Sequence, residues 1–237
     1  MNRKPVIAID GYSSTGKSSI SKVIARKLGL IHLDTGALYR AITYFALQNC
    51  LRADKSVDTD TLFSCLEKLD LEFKEVEGDL QLYLNGKDIS KEIRTPEVSD
   101  YVSFIAKQPE VREFLLQTQR SIAANGGIIM DGRDIGTTVL PDADYKFFLT
   151  ASVDERTRRR HRELTEMGEI TDELSVKENL IKRDKIDSER EISPLKQAAD
   201  AILIDNTLIN KEQTIALILS YIKPFSGLNQ KLSKFSL

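Results

Sequence analysis

The chain has 237 residues, 41% of them hydrophobic and 30% charged, with a net charge of −2. This balance suits one α/β domain carrying an insertion; it argues against general disorder and excludes the overall basic field of most nucleic-acid binders. The only cysteines, Cys50 and Cys65, and the only histidines, His32 and His161, lack metal-ligand spacing and form no disulfide framework, which points to a reducing cytosol. The apolar run before Asp10 is too short for a signal-peptide core, and no run approaches the ~20 apolar residues of a membrane span. The expectation is a cytoplasmic protein with no membrane and no nucleic-acid partner.

Val6 to Ile9 form a short β-branched run that reads as a buried parallel strand. Gly11, Gly16, Lys17 and Ser18 then fit the phosphate-binding pattern G-x-x-x-x-G-K-[ST]. Backbone N–H groups of such a loop wrap a phosphate chain, and a side chain at either glycine is expected to obstruct that approach. Lys17 is placed to reach the β- and γ-phosphates of a nucleoside triphosphate, and Ser18 to hold Mg²⁺. The nucleotide-binding set is Gly11, Tyr12, Ser13, Ser14, Thr15, Gly16, Lys17, Ser18 and Ser19. Ser18 to Leu28 continue as a helix closed by Gly29, whose N-terminal partial charge favours the phosphates.

Leu30 to Leu33 form a second strand, ending in Asp34-Thr35-Gly36-Ala37-Leu38-Tyr39-Arg40. Helices are expected from about Ala37 to Leu51 and from about Asp60 to Leu69, the latter capped by Asp58 or Asp60. The period then shifts to two: Leu69, Leu71 and Phe73, then Leu80, Leu82 and Leu84, before an Asn85-Gly86 hairpin signal and Lys87 to Ile89. A small antiparallel sheet over roughly 70 to 92 thus interrupts strands that otherwise alternate with helices. Helical sequence returns from Thr95 to Ala124 with a break near Pro109. Three more strands follow at Ile128 to Met130, Lys146 to Leu149 and Ala201 to Ile204. A highly charged helical stretch fills 153 to 190, with Ser152 and Glu155 as a capping box, and Lys211 to Lys223 form a last helix. Residues 224 to 237 show no clear pattern.

Five apolar strands between helices imply a doubly wound parallel sheet of the P-loop NTPase type, with the strand C-terminal ends along one edge. Three of those ends carry polar signatures, at 11 to 18, 34 to 40 and Asp131-Gly132-Arg133-Asp134, and are expected to converge on one cleft. Asp131 is placed to join Ser18 on Mg²⁺, Arg133 to clamp a phosphate, and Asp134 to accept from an amino group; the plain alternative is a turn capped by its aspartates. Arg156, Arg159 and Arg160 share a helical face that either closes over transferring phosphates or is simply solvated. Arg183, Asp187 and Arg190 recur at i, i+4 and i+7, either as an intrahelical ion-pair ladder or as a ribose and phosphate site.

Taken together, the segments Ile9 to Ser18, Leu33 to Arg40, Glu92 to Val98, Val111 to Glu113, Asp131 to Thr137 and Arg183 to Arg190 resemble the bacterial-type cytidylate kinases, within the nucleoside monophosphate kinases. Tyr12 stands where proline is common in that family's loop, Ser18 where glycine is sometimes found, and Thr35 for a frequent serine. The resemblance implies transfer of the γ-phosphoryl group of ATP to CMP or dCMP by a monomer. It implies one kinase domain over 1–223, with an NMP-binding insert at about 60–100, a LID at about 153–190 and a tail at 224–237. Carried over by position, Thr35, Arg40 and Arg133 hold the acceptor phosphate; Ser103, Arg112 and Asp134 read the cytosine edge. Arg183 and Asp187 hold the ribose, Arg190 the nucleotide nearby, and Arg156 to Arg160 form the LID. Lys17, Arg133, Arg156 and Arg160 compose the catalytic set. A small-molecule kinase for UMP, shikimate or a coenzyme precursor, and a nucleic-acid-stimulated NTPase, are the alternatives.

Overall fold

The computed structural model describes residues 3–76 and 79–224, so the patternless tail lies outside the described residues save for Pro224. The chain divides into two compact units, one of residues 1–33 with 122–237 and the other of 34–121.

The first unit is built on a five-stranded sheet. Its strands are β1 (Val6–Gly11), β2 (Ile31–Asp34), β6 (Ile128–Gly132), β7 (Tyr145–Thr150) and β8 (Ile202–Asp205), in the order β2-β6-β1-β7-β8. β1 pairs in parallel with β6 and with β7, and β7 with β8. The central β1 is buried along its whole length, which is why it reads as an unbroken apolar run rather than an alternating one. Ile7, Ile9, Ile129, Phe147, Leu149 and Ile204 pack with Ile20, Ile24 and Leu28 of α1 (Lys17–Leu28) and Ile215 and Ile218 of α8 (Lys211–Tyr221). Fully burying each such side chain contributes about 1.5–3 kcal/mol relative to leaving it in water.

The charged stretch after β7 is two helices, α6 (Val153–Glu166) and α7 (Glu173–Glu189), rather than one. Gly168, at φ 84°, ends the first by turning left-handed where no side chain is tolerated cheaply. Ser152 caps α6 by accepting from Glu155 N–H at 3.2 Å, but the Glu155 carboxylate pairs with Arg158 and Arg159 instead of closing the expected box. Among the described residues, Leu164, Val176 and Leu180 form a small buried cluster in this helix pair. Polar contacts do much of the joining, among them Lys177 on Asp154 at 2.7 Å. So small a cluster contributes little apolar burial to the packing of the pair.

The second unit holds α2 (Thr35–Asn49), α3 (Thr59–Cys65), α4 (Pro96–Ala106) and α5 (Pro109–Ala123) with an antiparallel sheet of β3 (Leu71–Val76), β4 (Asp79–Leu84) and β5 (Lys87–Asp88). Asn85 and Gly86 both take positive φ, 49° and 78°, the geometry a two-residue hairpin demands. Register pairs Leu71 with Leu84 and Phe73 with Leu82, so one face is apolar. Leu38, Ile42, Leu62, Leu82, Ile89, Ile105 and Leu115 centre this unit's own core. Both cysteines are unpaired thiols.

Candidate phosphoryl-transfer site

The phosphate cradle begins where β1 stops. A Cβ at Gly11 would lie 2.0 Å from the Leu149 carbonyl oxygen of β7. Glycine is thus required there by the neighbouring strand as well, independently of any phosphate in the loop. Gly16, at φ 86°, is the N-cap of α1, and Ser14 is also left-handed at 59°. Alternating hand in this way turns successive N–H groups toward one point, as anion-binding nests do. Thr15 is fully buried; its hydroxyl donates to the Tyr12 carbonyl at 3.0 Å, and its own carbonyl accepts from Asn206 Nδ2 at 2.9 Å.

Lys17 lies buried with Nζ donating to the Tyr12 carbonyl at 2.6 Å. Burial, and then the charge of Arg133, bring its pKa down to about 7. A lysine desolvated in this way gains stability in its charged form when an anion sits beside it. Ser18 Oγ donates to Asp131 Oδ2 at 2.6 Å, and His32 Nε2 meets Asp131 Oδ1 at 2.6 Å. A hydroxyl and a buried carboxylate at the loop's mouth form the hard oxygen pair that Mg²⁺ takes beside phosphates, so the residues present fit that ion. Asp131 and Gly132 belong to β6 itself and do not follow it.

Beyond β6, Arg133 donates from Nε to Asp187 Oδ2 and from Nη2 to Ser13 Oγ, both at 2.9 Å. Burial is the largest single effect and opposes its charge, but Asp187, Asp184 and Asp131 together outweigh it and hold the guanidinium protonated. Asp187, which is more deeply buried than Arg133, is drawn below the ordinary carboxylate range by Arg133, Arg183 and Arg190 against the opposing effect of burial. Its hydrogen-bond partner is across the fold, so the intrahelical ladder is not what α7 builds. Arg183 is buried with Nε unpartnered, and burial with the nearby Arg133 lowers its pKa to about 10. One oxygen of Asp184 is likewise buried without a partner. Orphaned polar atoms of this kind are costly unless a ligand satisfies them; the Arg183 N–H calls for an acceptor and the Asp184 oxygen for a donor such as a hydroxyl.

Asp134 accepts from Arg190 Nη2 at 3.3 Å, and Arg190 Nε donates to the Ser193 carbonyl at 2.7 Å. The arginine run of α6 divides. Arg156 is buried, donating to the carbonyls of Ala151 and Ser13 and to Asp184, with its guanidinium 5.1 Å from the Tyr12 ring centroid. Arg159 binds Glu155 and Asn206, Arg158 binds Glu155, and Arg160 binds Glu163 at 2.8 Å. Arg160 still lies close enough to Arg183 to depress its pKa. The shared face read from spacing is therefore split among intramolecular carboxylates.

In the second unit Thr35 is buried at the first turn of α2, where Asp34 Oδ1 accepts from Ala37 N–H at 3.2 Å. Arg40 donates from Nη1 to Ser99 Oγ at 3.1 Å and to the Ile93 carbonyl at 3.2 Å. Ser103 is buried on α4, and Arg112 on α5 donates to the Ala106 carbonyl at 3.2 Å with its guanidinium 5.6 Å from the Tyr39 ring.

Several residues escaped the sequence. Asp10 is buried at the end of β1 and accepts from the N–H groups of Ile135 at 2.8 Å and Gly136 at 2.7 Å. It thereby holds the start of a π-helix, Ile135–Val139, that follows Arg133 and Asp134 directly. A carboxylate closing a buried strand next to a glycine loop was the available signal. His32, Asn206, Tyr39 and Ser99 had none, because their partners lie far along the chain.

A nested glycine loop at the end of a parallel strand, a buried lysine and a serine–aspartate oxygen pair define a P-loop phosphotransferase. The cytidylate kinase family model matches residues 7–224, and the chain belongs to that family. It is similar to the cytidylate kinase of Geobacillus sp. (strain WCH70), 46% identical over 221 residues that cover 93% of this chain and 97% of the relative. The cytidylate kinase of Bacillus cereus (strain ATCC 10987 / NRS 248) is 44% identical over 222 residues, 94% of this chain and 97% of its own. A solved shikimate kinase from Bacteroides thetaiotaomicron aligns over 91% of this chain and 97% of its own at 12% identity and a TM-score of 0.45.

Proposed function

We propose that this chain transfers the γ-phosphoryl group of ATP to the phosphate of CMP or dCMP, giving ADP and CDP or dCDP. The observation that carries the proposal is the Arg133–Asp187–Arg183 group, joined to the P-loop through Ser13, in which Asp187 and Arg183 are buried and Arg183 Nε has no hydrogen-bond partner. A ring of guanidinium groups balanced by one carboxylate suits a nucleoside phosphate, whose hydroxyls take the carboxylate and whose phosphate takes the arginines.

In this mechanism the backbone of Gly11 to Ser19 and the ammonium of Lys17 hold the β- and γ-phosphates. Ser18 and Asp131 would hold Mg²⁺, which when bound supplies positive charge to the oxygens around the transferring group. Arg133 with Thr35 and Arg40 would orient the acceptor phosphate for in-line attack, and Ser103, Arg112 and Asp134 would read the base. Arg183 and Asp187 would take the ribose, with Arg190 beside them. Arg156 and Arg160 would add charge as the α6–α7 pair closes and excludes water; Arg156 must then exchange its carbonyl partners for phosphate oxygens. The acceptor is already anionic, so no general base and no covalent enzyme intermediate are required. The α6–α7 pair corresponds to the LID, and the helices and antiparallel sheet around 60–100 to the NMP-binding insert, within one kinase domain over 1–223. No helix among the described residues is long and apolar enough to cross a membrane. We place the enzyme in the cytoplasm as a monomer.

ADP release measured by coupled assay with Mg-ATP and, separately, CMP, dCMP, UMP, AMP and shikimate tests this. Turnover confined to CMP and dCMP is expected. Turnover with shikimate or UMP instead, or ATPase activity that RNA stimulates without an acceptor, would overturn it.

A further inference from the structure

The segment from Glu92 to Val98 accounts for none of the chemistry above, yet in the structure it and the next residue, Ser99, supply two acceptors to one guanidinium. Ile93 lies in a 3-10 turn, Glu92–Arg94, and its carbonyl accepts from Arg40 Nη1 at 3.2 Å. Thr95 then caps α4, its hydroxyl accepting from Val98 N–H at 3.3 Å and donating to the Glu92 carbonyl at 3.3 Å. Pro96 at the first turn fixes the helix entry. One turn on, Ser99 is buried, donates from Oγ to the Thr95 carbonyl at 3.0 Å and accepts from the same Arg40 Nη1 at 3.1 Å. Because the Ser99 proton is committed to Thr95, its lone pairs are directed at the arginine. Arg94 meanwhile reaches Asp34, 3.8 Å away, the residue that caps α2 just before Thr35.

A flexible arginine carries about 2 kcal/mol of rotamer entropy, so one that must meet a phosphomonoester gains affinity when neighbours hold it in place beforehand. We infer that Ser99 is a positioning residue that, with the Ile93 carbonyl, orients Arg40 for the phosphate of the acceptor nucleotide. Ser99 and Ser103 stand four residues apart on one face of α4, so this helix would serve the phosphate with one serine and the base with the other. The inference rests on the acceptor role proposed above for Arg40.

The test compares wild type, Ser99→Ala and Ser99→Thr, each titrated with CMP and with cytidine and followed by amide chemical shifts. Deleting one acceptor of a charged hydrogen bond should weaken CMP binding about tenfold, with cytidine binding unchanged because it lacks the phosphate. Ser99→Thr keeps the hydroxyl and should restore CMP affinity. In the ligand-free protein, rotation of the Arg40 guanidinium should accelerate in Ser99→Ala but not in Ser99→Thr. Unchanged CMP affinity, equal losses for CMP and cytidine, or guanidinium rotation that Ser99→Ala leaves unaltered would overturn the inference. Should wild type fail to bind CMP, the proposed function falls instead, and the rotation measurement alone then decides whether Ser99 holds Arg40.

Discussion

Asp10→Asn isolates the buried carboxylate that joins the P-loop strand to the turn after Arg133 and Asp134. The substitution preserves shape but replaces one acceptor oxygen with an NH₂ group, so either the Ile135 or the Gly136 N–H faces a donor. Losing a charged hydrogen bond and leaving a buried N–H unpaired costs about 1–3 kcal/mol. Burial, offset in part by those two N–H groups, raises the Asp10 pKa from 3.8 to about 6. Between those values the folded protein binds a proton that the unfolded chain has released. Wild-type stability must therefore fall as pH rises through this window, by about 3 kcal/mol at 1.36 kcal/mol per pH unit. Urea denaturation of both proteins from pH 4.5 to 7.5 cancels the other carboxylates. The stability advantage of wild type over Asp10→Asn should shrink across the series by about 2 kcal/mol, because the series begins inside the window. An advantage that stays flat or grows with pH would refute the reasoning. At pH 7.5 kcat/KM should also fall about a hundredfold, because a turn misplaced by an ångström misaims Arg133 and Asp134.

Gly11→Ala should leave little folded protein, since the new Cβ would meet backbone of β7, a loss above about 4 kcal/mol. Gly86→Ala, also at positive φ but with open space around it, should cost only about 1–2 kcal/mol; similar thermal midpoints for the two variants would contradict this. Lys17→Ala should lower kcat about 10²- to 10³-fold while the far-UV circular dichroism stays unchanged, a fall smaller than tenfold counting against its role at the transferring phosphoryl group. Asp134→Ala should narrow the preference for CMP over UMP by about tenfold or more, measured as the ratio of kcat/KM values, since a lost hydrogen bond to the base amino group no longer discriminates. An unchanged ratio removes Asp134 from base reading.

Much of the fold was legible because its signals are local. The apolar run at Val6 to Ile9, the glycines around Lys17, the Asn85-Gly86 turn and the Pro109 break each depend on backbone geometry that one or two residues dictate. The stretch over 153 to 190 reads as helical throughout because its charged residues mask a break that Gly168 and the α7 cap Asp172 make. The candidate site was legible as residue types but not as partnerships. Asp187 takes Arg133, 54 positions away, rather than its neighbours on α7, and Arg159 takes Asn206 rather than a free surface.

What the sequence alone determined about this protein is the phosphate loop, the alternation of strands and helices, and the chemical class of the groups near the loop, since hydrophobic period and turn chemistry act over a few residues. The strand order β2-β6-β1-β7-β8, the strand-imposed need for Gly11, the Asp10 anchor and the hold of Ser99 on Arg40 were decided only in the tertiary structure. Each of these depends on which distant backbone or side chain arrives within about 3 Å, and hydrogen bonding and close packing fall off too steeply with distance for sequence spacing to specify them.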